Sequence, residues 1–261
     1  MSTANRLLNV LALFTMERPQ WTVEEAAADL GLTISTAYRY FKSLVEAGLL
    51  SADTPGNYTL GPAIIQYDRQ MRLHDPLIAS AAPIMHHLAT DLGNGVWVLL
   101  CRLFRTKVMC VHLESVEGPE YVLDQVRRPV SYGRGQPMPL HRGAPSKAIL
   151  AHMNFRTVRP IYDSDPGAFG EVGLGDDWDA VKRNLRQLRR EGAIVTRGEL
   201  PGGMQGIALP VFNQQEMVIG SLSVVVPRDR KAELARTMAA SLQAAVADIQ
   251  ASLASAYRAE A

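Results

Sequence analysis

The sequence predicts an α+β protein. A winged helix-turn-helix is expected over 1–61, a linking helix over 62–75, and an α/β domain with a mostly antiparallel sheet over 76–261. Three observations carry this. The 261 residues correspond to about 1.7 domains at roughly 150 residues each. Apolar residues recur with a helical period up to Gly48, then give way after Gly95 to runs rich in Val, Leu and Met. Gly61-Pro62 and Asp75-Pro76 punctuate the chain at the two expected boundaries.

Asn5 to Met16 carries Leu7, Leu8, Val10, Leu11, Leu13 and Phe14, an amphipathic helix that Pro19 closes. Thr22 precedes Glu25 by three residues, a capping box. The helix it opens reaches Leu30, and Gly31 suits the left-handed position after a helix. In the segment 33–50, Ala37, Tyr40, Phe41, Leu44 and Val45 form one apolar stripe that Gly48 ends. Only Gly-Leu-Thr separates these two helices, so they must cross steeply, as in a helix-turn-helix. Leu49–Ala52 and Tyr58–Leu60, with a turn over Thr54–Asn57, read as a hairpin wing.

The remaining face of the third helix offers Ser35, Thr36, Tyr38, Arg39 and Lys42. Hydroxyls near a helix start can reach phosphates or base edges. Arg39 has the forked donor that matches guanine O6 and N7, and Lys42 suits a phosphate. Residues 1–60 hold four basic and six acidic residues, so the basic footprint of a DNA-binding domain is local to this face. Weak affinity per monomer and a dimer with two half-sites are expected. A bundle whose polar residues face water, and whose surface contacts protein, would show the same pattern.

Composition excludes several classes. Lys+Arg 27 against Asp+Glu 26 gives a net charge of +1, without a global nucleic-acid or membrane signature. The longest strongly apolar stretch, near Met217–Pro227, is too short to span a bilayer, so no membrane partner is expected. The start, MSTANRLLNV, lacks secretory signal features, and two Cys fit a reducing cytoplasm. No nucleophile elbow, phosphate loop or dinucleotide fingerprint is present, and Gly133-Arg134-Gly135 lacks the third glycine. His86 and His87 are neighbours on one helix, and Cys101 and Cys110 read as small buried residues. No catalytic residue, metal or cofactor is expected. An enzyme or stand-alone sensor with a protein-binding N-terminus is the competing class.

Ala63 to Leu73, with Ile64, Ile65, Tyr67 and Met71, reads as a linking helix. Its apolar face either meets a second subunit or packs on its own wing. Helices are expected over Leu77–Leu92, Gly143–Met153, Asp176–Glu191 and Lys231–Tyr257. Strands are expected over Val96–Phe104, Lys107–Ser115, Tyr121–Val126, Ala193–Arg197, Gln205–Phe212 and Glu216–Val226, with Arg105-Thr106 as a hairpin turn. Residues 125–160 contain seven basic residues and no acidic one, and 161–181 contain six acidic residues and no basic one. These are either complementary surface patches or cations that receive an anionic ligand. Arg142 stands just before a helix start, whose amides also favour an anion.

The segment GLTISTAYRYFKSLVEAGLL followed by YTLG resembles the winged helix of the IclR family of bacterial transcription regulators. PLHRGAPSKAILA (139–151), REGAIVTRGELPGGMQGIALPVF (190–212) and VIGSLSVVVP (218–227) are similar to successive segments of that family's effector domain. The resemblance implies a GAF-like fold for the second domain, operator DNA as partner, and a dimer or dimer of dimers. Relatives often carry Lys where this chain has Ile34, and a basic residue near Asn57, which joins the candidate DNA contacts. It also implies an effector site between a helix start and the sheet. The matching positions are Ala144, Pro145, Thr196, Gly206, Ser223 and Val225. Trp97, Met138, Leu140 and Met204 are candidate lining residues, with Arg142 for an acid group. Pro145 has no N–H and Val225 no hydroxyl, so an organic acid with an aromatic or heterocyclic body is expected.

Overall fold

The structure is a computed structural model. It describes residues 3–54, 56–118, 120–123, 126–129, 133–199, 204–227 and 232–259; side chains at 53–54, 120–123, 126–129, 232–237 and 259 are not among those described. The chain divides into two compact units, 1–74 and 75–261.

In the first unit, α1 (Thr3–Ala12), α2 (Val23–Leu30) and α3 (Ile34–Glu46) precede the hairpin β1 (Leu50–Thr54) and β2 (Asn57–Leu60), and α4 (Ala63–His74) follows. The capping box forms: Glu25 N–H donates to Thr22 Oγ1 at 3.2 Å, and Thr22 N–H donates to Glu25 Oε2 at 3.0 Å. The same contacts hold the Glu25 carboxyl below its ordinary range. Gly31 ends α2 in the left-handed conformation. Val10, Phe14, Ala26, Ala37, Tyr40, Phe41, Leu44 and Leu50 form one buried cluster that fixes the crossing of α2 and α3. Gly61 is obligatory, because a Cβ there would overlap the Gly48 carbonyl.

One expectation is corrected in this unit and one is extended. The first helix stops at Ala12 rather than Met16. Leu13 and Phe14 continue as tight turns, and the Leu13 carbonyl accepts the Trp21 indole N–H at 3.0 Å. The wing is also more than a hairpin: Trp21 and Tyr58 exchange backbone hydrogen bonds of 3.1 and 2.9 Å, tying the α1–α2 connection to β2.

The second unit opens with α5 (Pro76–Leu92), β3 (Trp97–Phe104) and β4 (Lys107–Glu114). The hairpin β5 (Glu120–Leu123) and β6 (Val126–Pro129) and the short β7 (Pro137–Pro139) follow. Next come α6 (Ala144–His152), α7 (Phe155–Ser164), α8 (Pro166–Glu171) and α9 (Trp178–Glu191). β8 (Ile194–Arg197), β9 (Met204–Phe212), β10 (Val218–Pro227) and α10 (Ala232–Ala259) complete it. The main sheet has order β7-β4-β3-β10-β9-β8, and its neighbours pair antiparallel. A single strand expected over Tyr121–Val126 is instead split between β5 and β6, which pair only with each other; residues 124–125 lie outside the described ones. Helices α7 and α8, for which no expectation was set, occupy the junction of the basic and acidic stretches, with Pro160 inside α7 and Pro166 opening α8.

Both faces of the sheet are covered, which is why its central strands are nearly continuous apolar runs. Val98, Leu100, Ile207, Leu222 and Val224 pack on α5 and α10. Trp97, Leu99, Ala208 and Val225 face the opposite way and pack on α6, with α9 behind it. Eight of the nine residues of α6 are buried. Arg189 of α9 donates to the Ala151 and Met153 carbonyls and thereby caps the end of α6.

Two histidines flank this layer. His141 lies 5.2 Å from the Phe169 ring, and His152 lies 5.0 Å from Phe212. Burial lowers both from the ordinary 6.5, with Arg142 beside the first and Arg189 beside the second opposing a second positive charge. Below pH 6.5 the unfolded chain therefore binds more protons than the folded one, and stability falls with pH. Thermal unfolding of the wild type is expected to shift downward below pH 6.5, and His152→Gln should flatten that dependence. An unchanged slope would contradict the burial argument.

Candidate functional site

Each unit presents one candidate site. In the first, Thr33 caps α3: its hydroxyl accepts Thr36 N–H at 3.3 Å and bonds the Thr36 hydroxyl at 2.8 Å and the Ser35 hydroxyl at 3.3 Å. Ser35 and Thr36 are thus held at the helix start rather than free to rotate. Because Ala37, Tyr40, Phe41 and Leu44 face the core, the helical period turns Ile34, Tyr38, Arg39 and Lys42 outward. Tyr38 is 60% exposed and Ile34 58% exposed. The Arg39 guanidinium lies 5.8 Å from the Tyr40 ring centre, and Lys42 makes a loose 3.9 Å pair with Glu46. Such an exposed pair is weak and leaves the ammonium open to water. Asn57 is half-buried at the tip of the wing, opposite Thr54.

In the second unit, the candidate residues gather around the start of α6. Gly143 adopts φ 85° and turns the chain into the helix. The Ala144 N–H donates to Thr196 Oγ1 at 3.0 Å, and the Gly143 N–H donates to Glu199 Oε2 at 2.9 Å. Ser221, on β10, donates its hydroxyl to the Pro145 carbonyl at 2.9 Å. Gly206 lets β9 approach: a Cβ there would stand 3.3 Å from the Ala144 Cβ. Ala144, Pro145, Thr196, Met204, Gln205, Gly206 and Val225 enclose a cavity of only about 10 Å³, room for about one water. Ser223 lies on the same face of β10, and its hydroxyl reaches the Leu99 carbonyl at 3.4 Å.

Trp97, Met138 and Leu140 belong to the buried cluster beside this cavity, and the Trp97 indole donates to the Gly118 carbonyl at 2.9 Å. Arg142 points elsewhere: its guanidinium pairs with Glu171 at 2.9 Å, joining the basic and acidic runs. The side chains of Arg127 and Arg128 lie outside the described residues.

The cation at the helix start is Lys147. Its Nζ donates to Glu199 Oε1 at 2.6 Å and to the Val172 carbonyl at 2.9 Å, with the Lys147 side chain 7% exposed. Sequence reasoning counted Lys147 among seven cations and passed over Glu199. The signal was there in outline: a lysine flanked by Ser146, Ala148 and Ile149 on a mostly apolar helix needs a buried counter-charge. Among the described residues, Ser146 Oγ is the buried side-chain oxygen left without a hydrogen-bond partner.

Cys101 and Cys110 face each other across β3 and β4 as buried free thiols. The neighbouring Cys110 and burial push the Cys101 thiol well above its ordinary value, which keeps it a thiol rather than a nucleophilic thiolate. No helix among the described residues is long and apolar enough to cross a membrane.

Comparison with known proteins gives one consistent result. Residues 3–54 match the IclR helix-turn-helix domain, and residues 72–251 match the C-terminal domain of the bacterial transcriptional regulator IclR. The HTH-type transcriptional regulator KipR of Bacillus subtilis is 24% identical over 223 residues, covering 85% of this chain and 84% of its own. XynR of Escherichia coli is 24% identical, covering 89% and 90%. Among solved structures, an IclR transcriptional regulator from Alicyclobacillus acidocaldarius superposes with a TM-score of 0.77 at 28% identity, covering 96% and 98%. An IclR homologue from Microbacterium hydrocarbonoxydans, complexed with 4-hydroxybenzoate, superposes with a TM-score of 0.72 at 22% identity, covering 97% and 99%. These relatives are regulators, not enzymes, which closes the enzyme alternative. With both of its parts matched in order, the chain belongs to the IclR family of bacterial transcriptional regulators.

Proposed function

We propose that the regulator binds operator DNA as a dimer or dimer of dimers in the cytoplasm, and that an organic acid held at the start of α6 alters that binding. The observation that carries the DNA reading is the outward face of α3. Tyr38, Arg39 and Lys42 project from a helix whose opposite side is locked into the core. Arg39 reads a base edge, Lys42 and the Ser35 and Thr36 hydroxyls hold phosphates, and Asn57 adds a contact from the wing.

Two facts support oligomerisation. Residues 1–60 carry four basic against six acidic residues, so one unit attracts DNA weakly and two half-sites are needed. Helix α4 buries none of its residues, and Tyr67 at 49% and Met71 at 62% exposure, one turn apart, leave an apolar face that a second copy would cover. Tyr67→Ser with Met71→Ser is expected to shift sedimentation toward the monomer and to weaken DNA binding with it. A variant that stays as large as the wild type would assign the subunit contact elsewhere.

The effector reading is supported by the convergence of Ala144, Thr196, Gly206 and Val225 on one cavity, and by the apolar body that Met204, Pro145 and Val225 give it. An acid with an aromatic or heterocyclic body fits this lining better than a small keto acid, and 4-hydroxybenzoate bound to the Microbacterium homologue has that chemistry. Coupling to DNA equals the ligand's difference in affinity between the two quaternary arrangements.

A gel shift of the full chain on its own upstream DNA tests the DNA reading. Binding should exceed that to random DNA and fade as salt rises. Arg39→Ala should cost about 1–3 kcal/mol of specific binding. Equal retardation of both proteins on both DNAs would remove α3 from the interface.

A further inference from the structure

We propose that Glu199 is an internal stand-in for the effector's carboxylate, and that an anionic effector acts by taking its place. This rests on the reading of the α6 start as the effector site. Glu199 already makes the contacts an organic acid would seek there: one oxygen accepts the Gly143 N–H at 2.9 Å, and the other accepts the Lys147 ammonium at 2.6 Å. Thr196 occupies the next amide, that of Ala144, and the adjoining cavity holds only about 10 Å³. An acid that seeks the Gly143 amide and the Lys147 ammonium therefore meets Glu199 already in place.

The exchange has a built-in selectivity. Lys147 is buried and keeps its hydrogen bond to the Val172 carbonyl whichever carboxylate faces it. When one carboxylate enters and another leaves for water, the ammonium is never stranded. A neutral ligand that displaced Glu199 would leave Lys147 buried without a counter-charge, which is strongly unfavourable. The pair thus rejects amides and alcohols of the same shape. Gly198, at φ 68°, precedes Glu199 and joins it to β8. The carboxylate thus reaches α6 from the strand end that also positions Thr196.

Chemical rescue tests this without knowing the natural effector. In full-length Glu199→Ala, the thermal transition should drop by roughly 10 °C in chloride buffer. Acetate or benzoate should restore it, while acetamide or benzamide should not, and the same acetate should leave the wild type unmoved. Glu199→Gln keeps the shape should the alanine variant fail to fold, and it should bind benzoate at least about 10-fold more tightly than the wild type. Glu199→Gln with Lys147→Met should lose that gain. Equal rescue by acid and amide, no rescue at all, or equal benzoate affinity of Glu199→Gln and wild type would overturn the proposal. The effector reading fails separately. If carboxylates rescue Glu199→Ala but no acid alters DNA binding by the wild type, Glu199 is the stand-in and the site is not the switch. If an acid releases DNA from wild type and Glu199→Gln at equal concentration, the switch stands and the stand-in falls.

Discussion

A helix that starts inside a protein must find oxygens for its first amides there. In this chain α6 is sunk between the six-stranded sheet and α9, and its leading N–H groups point where water has little access. Much in the second unit serves that requirement. Thr196 at the end of β8 and Glu199 beyond it supply the oxygens, and Gly206 lets β9 come close enough to place them. Lys147 neutralises the carboxylate, and Arg189 meets the carbonyls at the other end of the helix. A helix start with its polar partners on one side and apolar Pro145, Met204 and Val225 on the other is also suited to hold an amphipathic acid.

The first unit obeys the complementary constraint. Its helices are anchored by a small apolar cluster, so α3 can commit one side to the core and leave the other bare. The bare side carries a phenol, a guanidinium and an ammonium on a rigid element with a satisfied cap. Rigid placement matters more than total charge here, since a unit with more acids than bases still presents Arg39 and Lys42 on the exposed side.

What could be read from the sequence depended on how local the determining physics is. The Thr22–Glu25 box, the turn at Gly31 and the stripe from Ala37 to Leu44 involve neighbours in the chain and appear where their patterns place them, although Val45, expected in the stripe, stays exposed at its edge. The strands were legible because both faces of β3, β9 and β10 are buried, which makes their apolar runs long. The misses are non-local or ambiguous. The Trp21–Tyr58 bridge joins residues far apart and has no period. Helix α7 contains Pro160, which in a helix interior more often ends the helix, and α8 is only six residues long. At the α6 start, Arg142 attracted attention by its position before the helix, yet it pairs with Glu171. The buried cation is Lys147, whose partner lies 52 positions away in the chain.

The central claim is that the surface around Tyr38 enters a DNA duplex, and one measurement meets it directly. A photo-crosslinking benzoylphenylalanine placed at Tyr38 of the full chain, with the same group at exposed Met217 as control, is irradiated on the chain's own upstream DNA. Covalent capture of the duplex from position 38 and not from 217 is the expected result. Capture from 217 alone, or from neither position while the protein still retards the DNA, would place the interface on another surface.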